Sequence, residues 1–381
     1  MKIAIVTAQS PHASTMIGRI FPLAEVWRTT HQVEIIGLAS VLAELPPHFH
    51  VVGTEPFSRT PQGKRRLKGW RLLTAMALAA IWTAWKLKGI SPEIVIISKP
   101  LPTNVAGVTI WYWFNRHAKI VLDVDDFELT ANHLSSLLQR AAVHWSERQA
   151  ARMSSLVVAA SPFLVDHFEQ LKGGRGPIQL IPTGFTLPAP VPSTKDTAVK
   201  LLYLGSVSIS SGHRVDLLPT ILKLVRQQEP GVALDIIGSG DDVGRLTHAF
   251  MEAGVETGVT WAGRFKLQEL PQLIHENYIV IDPIDDSIAQ RAKSSFRVAV
   301  AAAYGQPVVT SNIGIRPAWL PQSLHERFFA KPADAADYAR HIVDILRQPL
   351  HAAERERMQQ HATQYRWEQL GRSYQQLLAT L

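Results

Sequence analysis

The sequence predicts an α/β protein with two domains, each built on a parallel sheet that helices cover. Residues 3–6 and 33–37 are apolar runs of strand length, and a polar loop and a helix-length segment at 19–27 separate them. A strand, loop, helix and strand at this spacing are typical of parallel sheets. The pattern starts again at 200–204, after a proline-rich stretch at 187–193 that predicts a stiff linker between the domains.

Composition narrows the class of protein. The chain has 381 residues, of which 46% are hydrophobic and 19% charged, so it is globular and long enough for two domains. It has no cysteine, which excludes disulfides, thiolate metal sites and a thiol nucleophile. The net charge of +7 and the pI near 9.6 favour anionic partners. The sequence shows no nucleic-acid-binding motif, so we expect no nucleic-acid partner.

The sequence predicts neither a secreted nor a membrane-spanning protein. The apolar start, residues 1–6, has only the length of a strand and runs into a polar loop, unlike a signal peptide. The longest apolar stretch, 72–85, is shorter than the ~20 residues of a membrane-spanning helix. We therefore expect a cytoplasmic protein, with the inner face of the membrane as a further location to consider.

The segment 64–88 is basic and apolar at once and has two interpretations. Trp70, Trp82 and Trp85 lie among Leu, Ala and Met, with Lys or Arg at both ends. A helix that covers the sheet explains the apolar residues. An interfacial helix explains the tryptophans with flanking cations, and it predicts a peripheral membrane contact. The two are compatible if one face packs and the flanks meet lipid.

Acids gather at a predicted strand end in the first domain. Asp123, Asp125, Asp126 and Glu128 lie at the end of the strand 120–124. In parallel α/β sheets the chemistry occurs at the carboxyl ends of the strands. We therefore expect Asp125 and Asp126 to be catalytic, with helix capping and solvated turn acids as the alternative.

The loop after the first strand lies at the same edge of the predicted sheet. Ser10, Ser14, Thr15 and Gly18 are its candidates for facing a substrate. An ordinary polar turn is the alternative, since no GxGxxG is present.

The stretch 282–317 predicts an anion site in the second domain. An apolar strand, 278–281, leads into a polar loop that contains Arg291 and Lys293. A helix then begins at Phe296, with Ser294 or Ser295 as its cap. The N–H groups at a helix N-terminus, preceded by two cations, bind anions well. We expect a diphosphate there, held by Arg291, Lys293 and the backbone from Lys293 to Phe296.

The order of these motifs resembles that of GT-B retaining glycosyltransferases, more narrowly glycosyltransferase family 4, over nearly the whole chain. The resemblance depends on order and spacing rather than on a single motif. The segments that match the family are Gln290-Arg291-Ala292-Lys293-Ser294, Gly305-Gln306-Pro307-Val308-Val309, Gly238-Ser239-Gly240, Val259-Thr260-Trp261-Ala262-Gly263 and Ile181-Pro182-Thr183-Gly184.

The resemblance implies two Rossmann-like domains facing a central cleft. Residues 1–184 would form the acceptor side and 185–365 the nucleotide-sugar donor side, with a helix at 366–381 returning to the first domain. The activity implied is retaining transfer from a nucleotide-diphospho-sugar to an acceptor sugar, lipid-linked glycan or polysaccharide precursor, with no metal and no cofactor. The donor-binding residues implied are Gly205, Ser206, Gly238, Ser239, Gly240, Gly263, Arg264, Ser294, Ser295 and Phe296, and the catalytic ones Asp125, Asp126, Arg291 and Lys293.

Departures from the family pattern leave two interpretations open. Ala292 and Val300 stand where the family has two glutamates, Ser206 and Ser211 where it has Arg and Lys for the diphosphate, and Asp125 where it has His. In one interpretation the site is rebuilt, with Arg291 and Lys293 supplying charge and Asp282, Asp285 or Asp286 a carboxylate. In the other, the chain is a degenerate binding or scaffold protein. A dinucleotide-dependent oxidoreductase is disfavoured because neither half has GxGxxG.

Overall fold

The chain divides into two compact α/β units, and the α/β class predicted from the sequence is confirmed. The structure, a computed structural model, describes residues 1–40, 45–60, 63–131, 134, 136–187, 199–265, 269–274 and 278–381, and side chains at 57–60, 63–66, 211 and 272 are outside the description. One unit comprises Met1–Gly184 with Trp367–Leu381, and the other Phe185–Arg366. Most of the predicted linker at 187–193 lies outside the described residues.

The first unit is built on a parallel sheet of seven strands within the described residues, in the order β3-β2-β1-β6-β7-β8-β9. An antiparallel hairpin, β4–β5, stands apart from it. The sheet strands are mostly uninterrupted apolar runs, as expected for strands covered on both faces. The strands are β1 (Lys2–Thr7), β2 (Gln32–Leu38), β3 (Phe49–Gly53), β4 (Phe57–Thr60), β5 (Gly63–Arg66), β6 (Ile94–Ser98), β7 (Lys119–Val124), β8 (Leu156–Ala159) and β9 (Ile178–Leu180).

Helices cover this sheet, and local sequence signals explain several of their ends. Ser136 caps α5 in a reciprocal capping box with Gln139, and Ser161 caps α6, which ends at Gly173 in the left-handed region. The last helix, α15, packs on α1, where Trp27 donates to the carbonyl oxygen of Gly371 at 2.9 Å. The helices are α1 (Phe21–Arg28), preceded by a π-helical turn (Met16–Ile20), α2 (Gly69–Ile90), α3 (Pro102–Tyr112), α4 (Glu128–Ala131), α5 (Leu137–Met153), α6 (Pro162–Lys172) and α15 (Trp367–Ala379).

The second unit has a five-stranded parallel sheet within the described residues, in the order β12-β11-β10-β13-β14. Its strands are β10 (Lys200–Leu204), β11 (Ala233–Ile237), β12 (Val259–Gly263), β13 (Tyr278–Ile281) and β14 (Val308–Val309). Its helices are α7 (Leu218–Gln228), α8 (Val243–Glu252), α9 (Leu270–Leu273), α10 (Ile288–Ala292), α11 (Phe296–Ala303), α12 (His325–Phe328), α13 (Ala335–Arg347) and α14 (Ala352–Ala362).

Two local expectations need correction. The loop expected between 282 and 295 contains a short helix, α10, so Arg291 lies on a helix and not in a loop. The segment 64–88 is not one element, because its first residues belong to the β4–β5 hairpin and α2 begins only at Gly69. Among the described helices, none combines the length and the apolar composition needed to cross a membrane.

Candidate active site

A buried ion pair fixes the carboxyl end of β7 in the first unit. Arg19, in the π-helical turn before α1, donates to Asp123 from Nε at 2.7 Å and from Nη2 at 3.0 Å. Its Nη1 donates to the carbonyl oxygens of Ile181 and Pro182. Both charges are compensated in the interior, so this pair ties β7 to the segment after β9. Asp123 is therefore structural.

Beside this pair, a buried lysine gathers the remaining acids. Lys99 follows β6 directly in a left-handed conformation, with φ at 58°. Its Nζ hydrogen-bonds to Asp126 and lies 3.4 Å from Asp125 Oδ1 and 3.6 Å from Glu128 Oε1. Thr15 Oγ1 donates to the other oxygen of Asp125 at 2.7 Å. Because β1, β6 and β7 are neighbouring parallel strands, their carboxyl ends bring these side chains to one edge of the sheet.

We call Lys99, Asp125, Asp126 and Glu128 the acidic cluster. Burial lowers the pKa of Lys99, but its carboxylate neighbours outweigh burial and raise it well above the ordinary value, so Lys99 is charged. Burial and the adjacent Asp126 raise the pKa of Asp125 above the ordinary value, although Lys99 and Arg19 act in the opposite sense. Three carboxyl groups facing one ammonium suit hydroxyl-rich ligands and not phosphates.

The structure brings the two predicted first-unit site residues, Asp125 and Asp126, into this cluster. Their catalytic role stays a prediction. Sequence reasoning missed Lys99, although a lysine at the end of the neighbouring strand was a usable signal. It also did not foresee that Thr15, one of the candidate loop residues, bonds to Asp125 and is buried. Gly18 accepts a hydrogen bond from Trp367 through its carbonyl oxygen at 3.0 Å.

In the second unit, the predicted glycines allow two loops to touch. The N–H of Gly205 donates to the last residue of β11 at 2.9 Å, and the next loop residues continue alongside each other. A Cβ at Gly238 would lie 1.8 Å from the carbonyl oxygen of Gly205, and one at Gly240 would lie 1.9 Å from that of Val207. Only glycine fits at both positions, so the fold itself requires the Gly238-Ser239-Gly240 turn.

Asp282 is the centre of a buried network at the carboxyl end of β13. It accepts from Arg316 Nε at 2.8 Å, from Thr310 Oγ1 at 2.9 Å, from Ser295 Oγ at 3.2 Å and from Arg297 Nη1. Burial alone would raise the pKa of Asp282, but Arg316 and Arg297 hold it well below the ordinary value. The structure thus corrects the expectation that Asp282 replaces a sugar-binding carboxylate, because it is buried and fully engaged.

Next to this network, three cations act on a neutral histidine. His213 lies in the loop after β10, where burial and then Arg297 and Lys293 lower its pKa to about 3, so its imidazole is neutral. Arg316 acts in the same sense as these two cations, and Asp282 acts in the opposite sense. A Cβ atom on the adjacent Gly212 would lie 4.0 Å from Lys293 Nζ. Such a cationic edge beside the start of α11 suits an anion.

The other two candidate carboxylates, Asp285 and Asp286, already have arginine partners. Asp286 accepts from Arg291 Nε at 2.6 Å and Nη2 at 2.7 Å, and both side chains are about half exposed. Asp285 lies 3.6 Å from Arg214. Arg291 therefore carries a local counter-ion, whereas its role in diphosphate binding stays a prediction.

The remaining predicted donor residues lie at the carboxyl ends of the second-unit strands or at the start of α11. Ser295, one of the two predicted caps, is the cap of α11. Its Oγ accepts from Val298 N–H at 3.5 Å. Ser294 precedes it, and Phe296 is partly exposed at 38%. Ser206 is exposed, and its carbonyl oxygen accepts from Tyr203 at 2.7 Å. Arg264, directly after Gly263, donates to Ser239 Oγ at 2.9 Å.

The two positions that lack the family glutamates are both buried. Ala292 and Val300 are each 1% exposed. Arg297, one turn before Val300 on α11, is likewise buried, stacks 4.1 Å from the Tyr203 ring centroid and donates to the carbonyl oxygen of Leu204. Sequence reasoning missed Arg297, Arg316 and His213 because their partners are distant in the chain.

Comparison with known proteins places this geometry in a family. Residues 198–348 match the family model described as glycosyl transferases group 1, and residues 21–184 match the glycosyl transferase 4-like domain. Together the two matches span most of the chain. A comparison with curated protein sequences gives no match.

Solved structures of the same fold cover the whole chain at low sequence identity. Sucrose-phosphate synthase from Thermosynechococcus elongatus is 15% identical, with a TM-score of 0.76 and full coverage of both chains. Anabaena HepE in complex with UDP-glucose is 16% identical, with a TM-score of 0.75 and the same coverage. The lipopolysaccharide outer core galactosyltransferase WaaB is 15% identical, with a TM-score of 0.69 and the same coverage.

These matches and the two parallel-sheet units define a glycosyltransferase with the GT-B fold. The chain belongs to the group 1 glycosyltransferases and resembles glycosyltransferase family 4 within them.

Proposed function

We propose that this enzyme transfers a sugar from a nucleotide-diphospho-sugar to an acceptor with retention of the anomeric configuration. The observation that carries the donor assignment is a group of cations at the carboxyl ends of the strands in the second unit. There Lys293 Nζ lies 4.0 Å from the Cβ position of Gly212, and Arg297 Nη2 lies 3.2 Å from that of Gly205, beside the N-terminus of α11. A diphosphate suits cations beside a helix N-terminus, and complexes of HepE with UDP and UDP-glucose support uridine as the first base to try.

The chemistry follows from where charge develops. The bond between the sugar C1 and the diphosphate oxygen breaks, and the acceptor oxygen bonds to C1 on the same face. The acceptor proton passes to the leaving diphosphate. Lys293, Arg291 and the N-terminus of α11 stabilise the charge on that diphosphate, so their contribution grows in the transition state. No metal or cofactor enters this scheme.

Asp125 and Asp126 serve the acceptor or sugar hydroxyls in this proposal. They belong to a cluster of three carboxyl groups and one lysine, and Asp125 is held in place by Thr15 and Lys99. Carboxylates at fixed positions accept hydrogen bonds from sugar hydroxyls, and each such charge-assisted bond contributes about 1.5–3 kcal/mol. The first unit is therefore assigned the acceptor and the second unit the donor.

The acceptor in our proposal is amphiphilic: a lipid-linked glycan or a cell-surface polysaccharide precursor, met at the cytoplasmic face of a membrane. The basic, tryptophan-rich segment around α2 supports this, as does the likeness to a lipopolysaccharide galactosyltransferase. No nucleic acid is involved.

One observation favours a second candidate, a scaffold protein that binds a nucleotide without turnover. Ala292 and Val300 stand where the family has two glutamates, so both of those carboxylates are missing. Both residues are also buried. The rebuilt enzyme and the scaffold differ in turnover and not in binding.

Thermal unfolding with a panel of nucleoside diphosphates tests the donor assignment. At a ligand concentration of about 100 Kd, binding to the folded state adds about 2.7 kcal/mol and raises the melting temperature. UDP, GDP, ADP and CDP are compared with their nucleosides, which lack the diphosphate. A shift with a diphosphate and none with its nucleoside supports the proposal, and no shift with any of them contradicts it. Release of the diphosphate from the matching donor, with and without acceptor sugars, then separates enzyme from scaffold.

A further inference from the structure

Helix α2 is apolar on two opposite faces, and one of them is exposed. Ala79, Ala80, Thr83 and Leu87 are buried in the first unit. The opposite face carries large apolar side chains that recur at helical spacing, each between 51% and 70% exposed: Trp70, Leu73, Leu78, Ile81, Trp82 and Trp85. A helix that only covers a sheet exposes polar residues on its outer face, so this face needs another explanation.

The end of α3 and the residues after it extend the same surface. Trp113 and Phe114 are 62% and 83% exposed. Between α2 and α3 lies a groove of about 490 Å³, whose walls include Trp85, Phe114 and Lys88. We call the exposed face of α2, the end of α3 and this groove the α2–α3 surface. Its groove is apolar, with a lysine among the lining residues.

Charge around this surface has one sign. Residues 67–92, which contain α2, carry four cations, Lys68, Arg71, Lys86 and Lys88, and no acid. Neither α2 nor α3 contains an acid. Cations stand beside the exposed rings: the guanidinium of Arg71 lies 5.7 Å from the Trp70 ring centroid, and Lys86 Nζ lies 6.0 Å from that of Trp85.

We propose that the α2–α3 surface is the docking surface for an anionic lipid bilayer, with the groove taking a hydrocarbon chain of one lipid. Tryptophan rings with neighbouring lysine and arginine fit the headgroup boundary, where apolar side chains enter the acyl region and the cations meet anionic headgroups. A second copy of this chain fits less well, because two surfaces of the same positive sign repel each other. This rests on the proposed membrane contact and deepens it, because it assigns the contact to α2 and α3.

Vesicle co-sedimentation of the full chain tests the proposal. The wild type is compared on vesicles of phosphatidylcholine alone and of phosphatidylcholine with phosphatidylglycerol, at about 0.1 M and about 0.5 M salt, where screening differs. We expect binding to the anionic vesicles only, weakened at least tenfold by the higher salt. Equal binding to both vesicle types, or binding to neither, would overturn the proposal.

Variants locate the surface. Trp82→Gln/Trp85→Gln/Phe114→Gln removes exposed apolar rings, and Lys86→Gln/Lys88→Gln removes charge. We expect each to lower the binding constant for anionic vesicles at least tenfold, with unchanged circular dichroism. The matched controls are Met251→Gln, an exposed apolar residue of α8, and Lys223→Gln/Arg372→Gln, two exposed cations on other helices. Wild-type binding by both test variants assigns the membrane contact elsewhere.

Two further readouts keep the outcomes distinct. Light scattering in the absence of lipid reports the oligomeric state. If the wild type is a dimer and the triple ring variant is a monomer, a second copy occupies the surface and the proposal is overturned. Thermal shifts with nucleoside diphosphates are expected to be the same in the wild type and both variants, since these residues lie in the first unit. Loss of vesicle binding with intact nucleotide binding thus tests the docking surface independently of sugar transfer.

Discussion

Lys99 Nζ lies 3.4 Å from Asp125 Oδ1 and joins residues at the ends of two neighbouring strands, β6 and β7. The same ammonium hydrogen-bonds to Asp126, and Lys99 is itself buried. Asp125 is therefore held at the carboxyl edge of the sheet by its contacts to Lys99 and Thr15. Pre-organised carboxylates of this kind lose little entropy when they bind hydroxyl groups.

Asp125→Asn tests whether this carboxyl group serves the reaction. The substitution keeps the shape and removes the charge, so we expect kcat/KM to fall by the equivalent of about 1.5–3 kcal/mol, roughly 10- to 150-fold, with a small change in melting temperature. The matched variant Glu25→Gln alters an exposed acid on α1 and is expected to leave both unchanged. A melting temperature that falls in step with activity would show that Asp125 is structural.

Gly240→Ala tests the close approach of the two loops in the second unit. A Cβ there would lie 1.9 Å from the carbonyl oxygen of Val207, so one of the loops must move. We expect nucleotide affinity to fall at least tenfold and the free energy of unfolding to fall by about 1–3 kcal/mol. Gly244→Ala is the control, because nothing lies within 4 Å of its Cβ position and alanine favours the helix by up to ~1 kcal/mol. Equal behaviour of the two variants would refute this account of the turn.

Lys293→Ala and Arg291→Ala separate the two predicted diphosphate ligands. Loss of one charge-assisted contact costs about 1.5–3 kcal/mol of binding, and we expect Lys293→Ala to lose that much in a calorimetric titration with a nucleoside diphosphate. Arg291 is paired with Asp286 at the surface, so we expect a smaller loss for Arg291→Ala. Unchanged affinity in both variants would remove these residues from the donor site.

His213 predicts a specific pH dependence of stability. Its pKa is about 3 in the folded protein and about 6.5 in the unfolded chain, so the unfolded chain takes up a proton first as the pH falls. Stability is therefore lost below about pH 6.5, by on the order of 1–2 kcal/mol at pH 5. Asp282 acts at lower pH, because the stability that its depressed pKa supplies is lost only once the carboxyl group in the unfolded chain, with a pKa of about 3.9, takes up a proton.

Urea unfolding between pH 7 and 5 measures this effect. The His213→Gln variant has no imidazole to protonate. We therefore expect it to lose less stability than the wild type between pH 7 and 5, by about 1–2 kcal/mol. His248→Gln, which changes an exposed histidine on α8, is expected to follow the wild type. If the curves of wild type and His213→Gln run parallel, His213 is not held neutral by its surroundings.

The parts of the fold that sequence predicted best are those with strong local signals. The strand 278–281 and the start of the helix at Phe296 were placed correctly, since one is a continuous buried apolar run and the other follows a capping serine. Helix α3 went unrecognised because it is apolar on nearly all sides and has no helical periodicity. For α2 the same property hid which face packs and which is exposed.

The candidate site was predictable only where local sequence defines it. Cap chemistry limited the helix cap to Ser294 or Ser295, of which Ser295 is the cap, and the glycines at 238 and 240 were singled out by the family resemblance. The pairing of Lys99 with the acids and of Arg316 with Asp282 joins residues more than 20 positions apart. Such contacts depend on strand order, which periodicity does not report, and for that reason Asp282 was mistaken for a candidate ligand instead of a buried network centre.

Proton NMR of the complete reaction tests the central claim most directly. The enzyme is mixed with the nucleotide-diphospho-sugar that gives the largest thermal shift and with acceptor sugars, and the anomeric proton of the product is followed over time. Our account predicts acceptor-dependent release of the diphosphate and a product with the anomeric configuration of the donor. A donor that binds without turnover, or a product with inverted configuration, would contradict it.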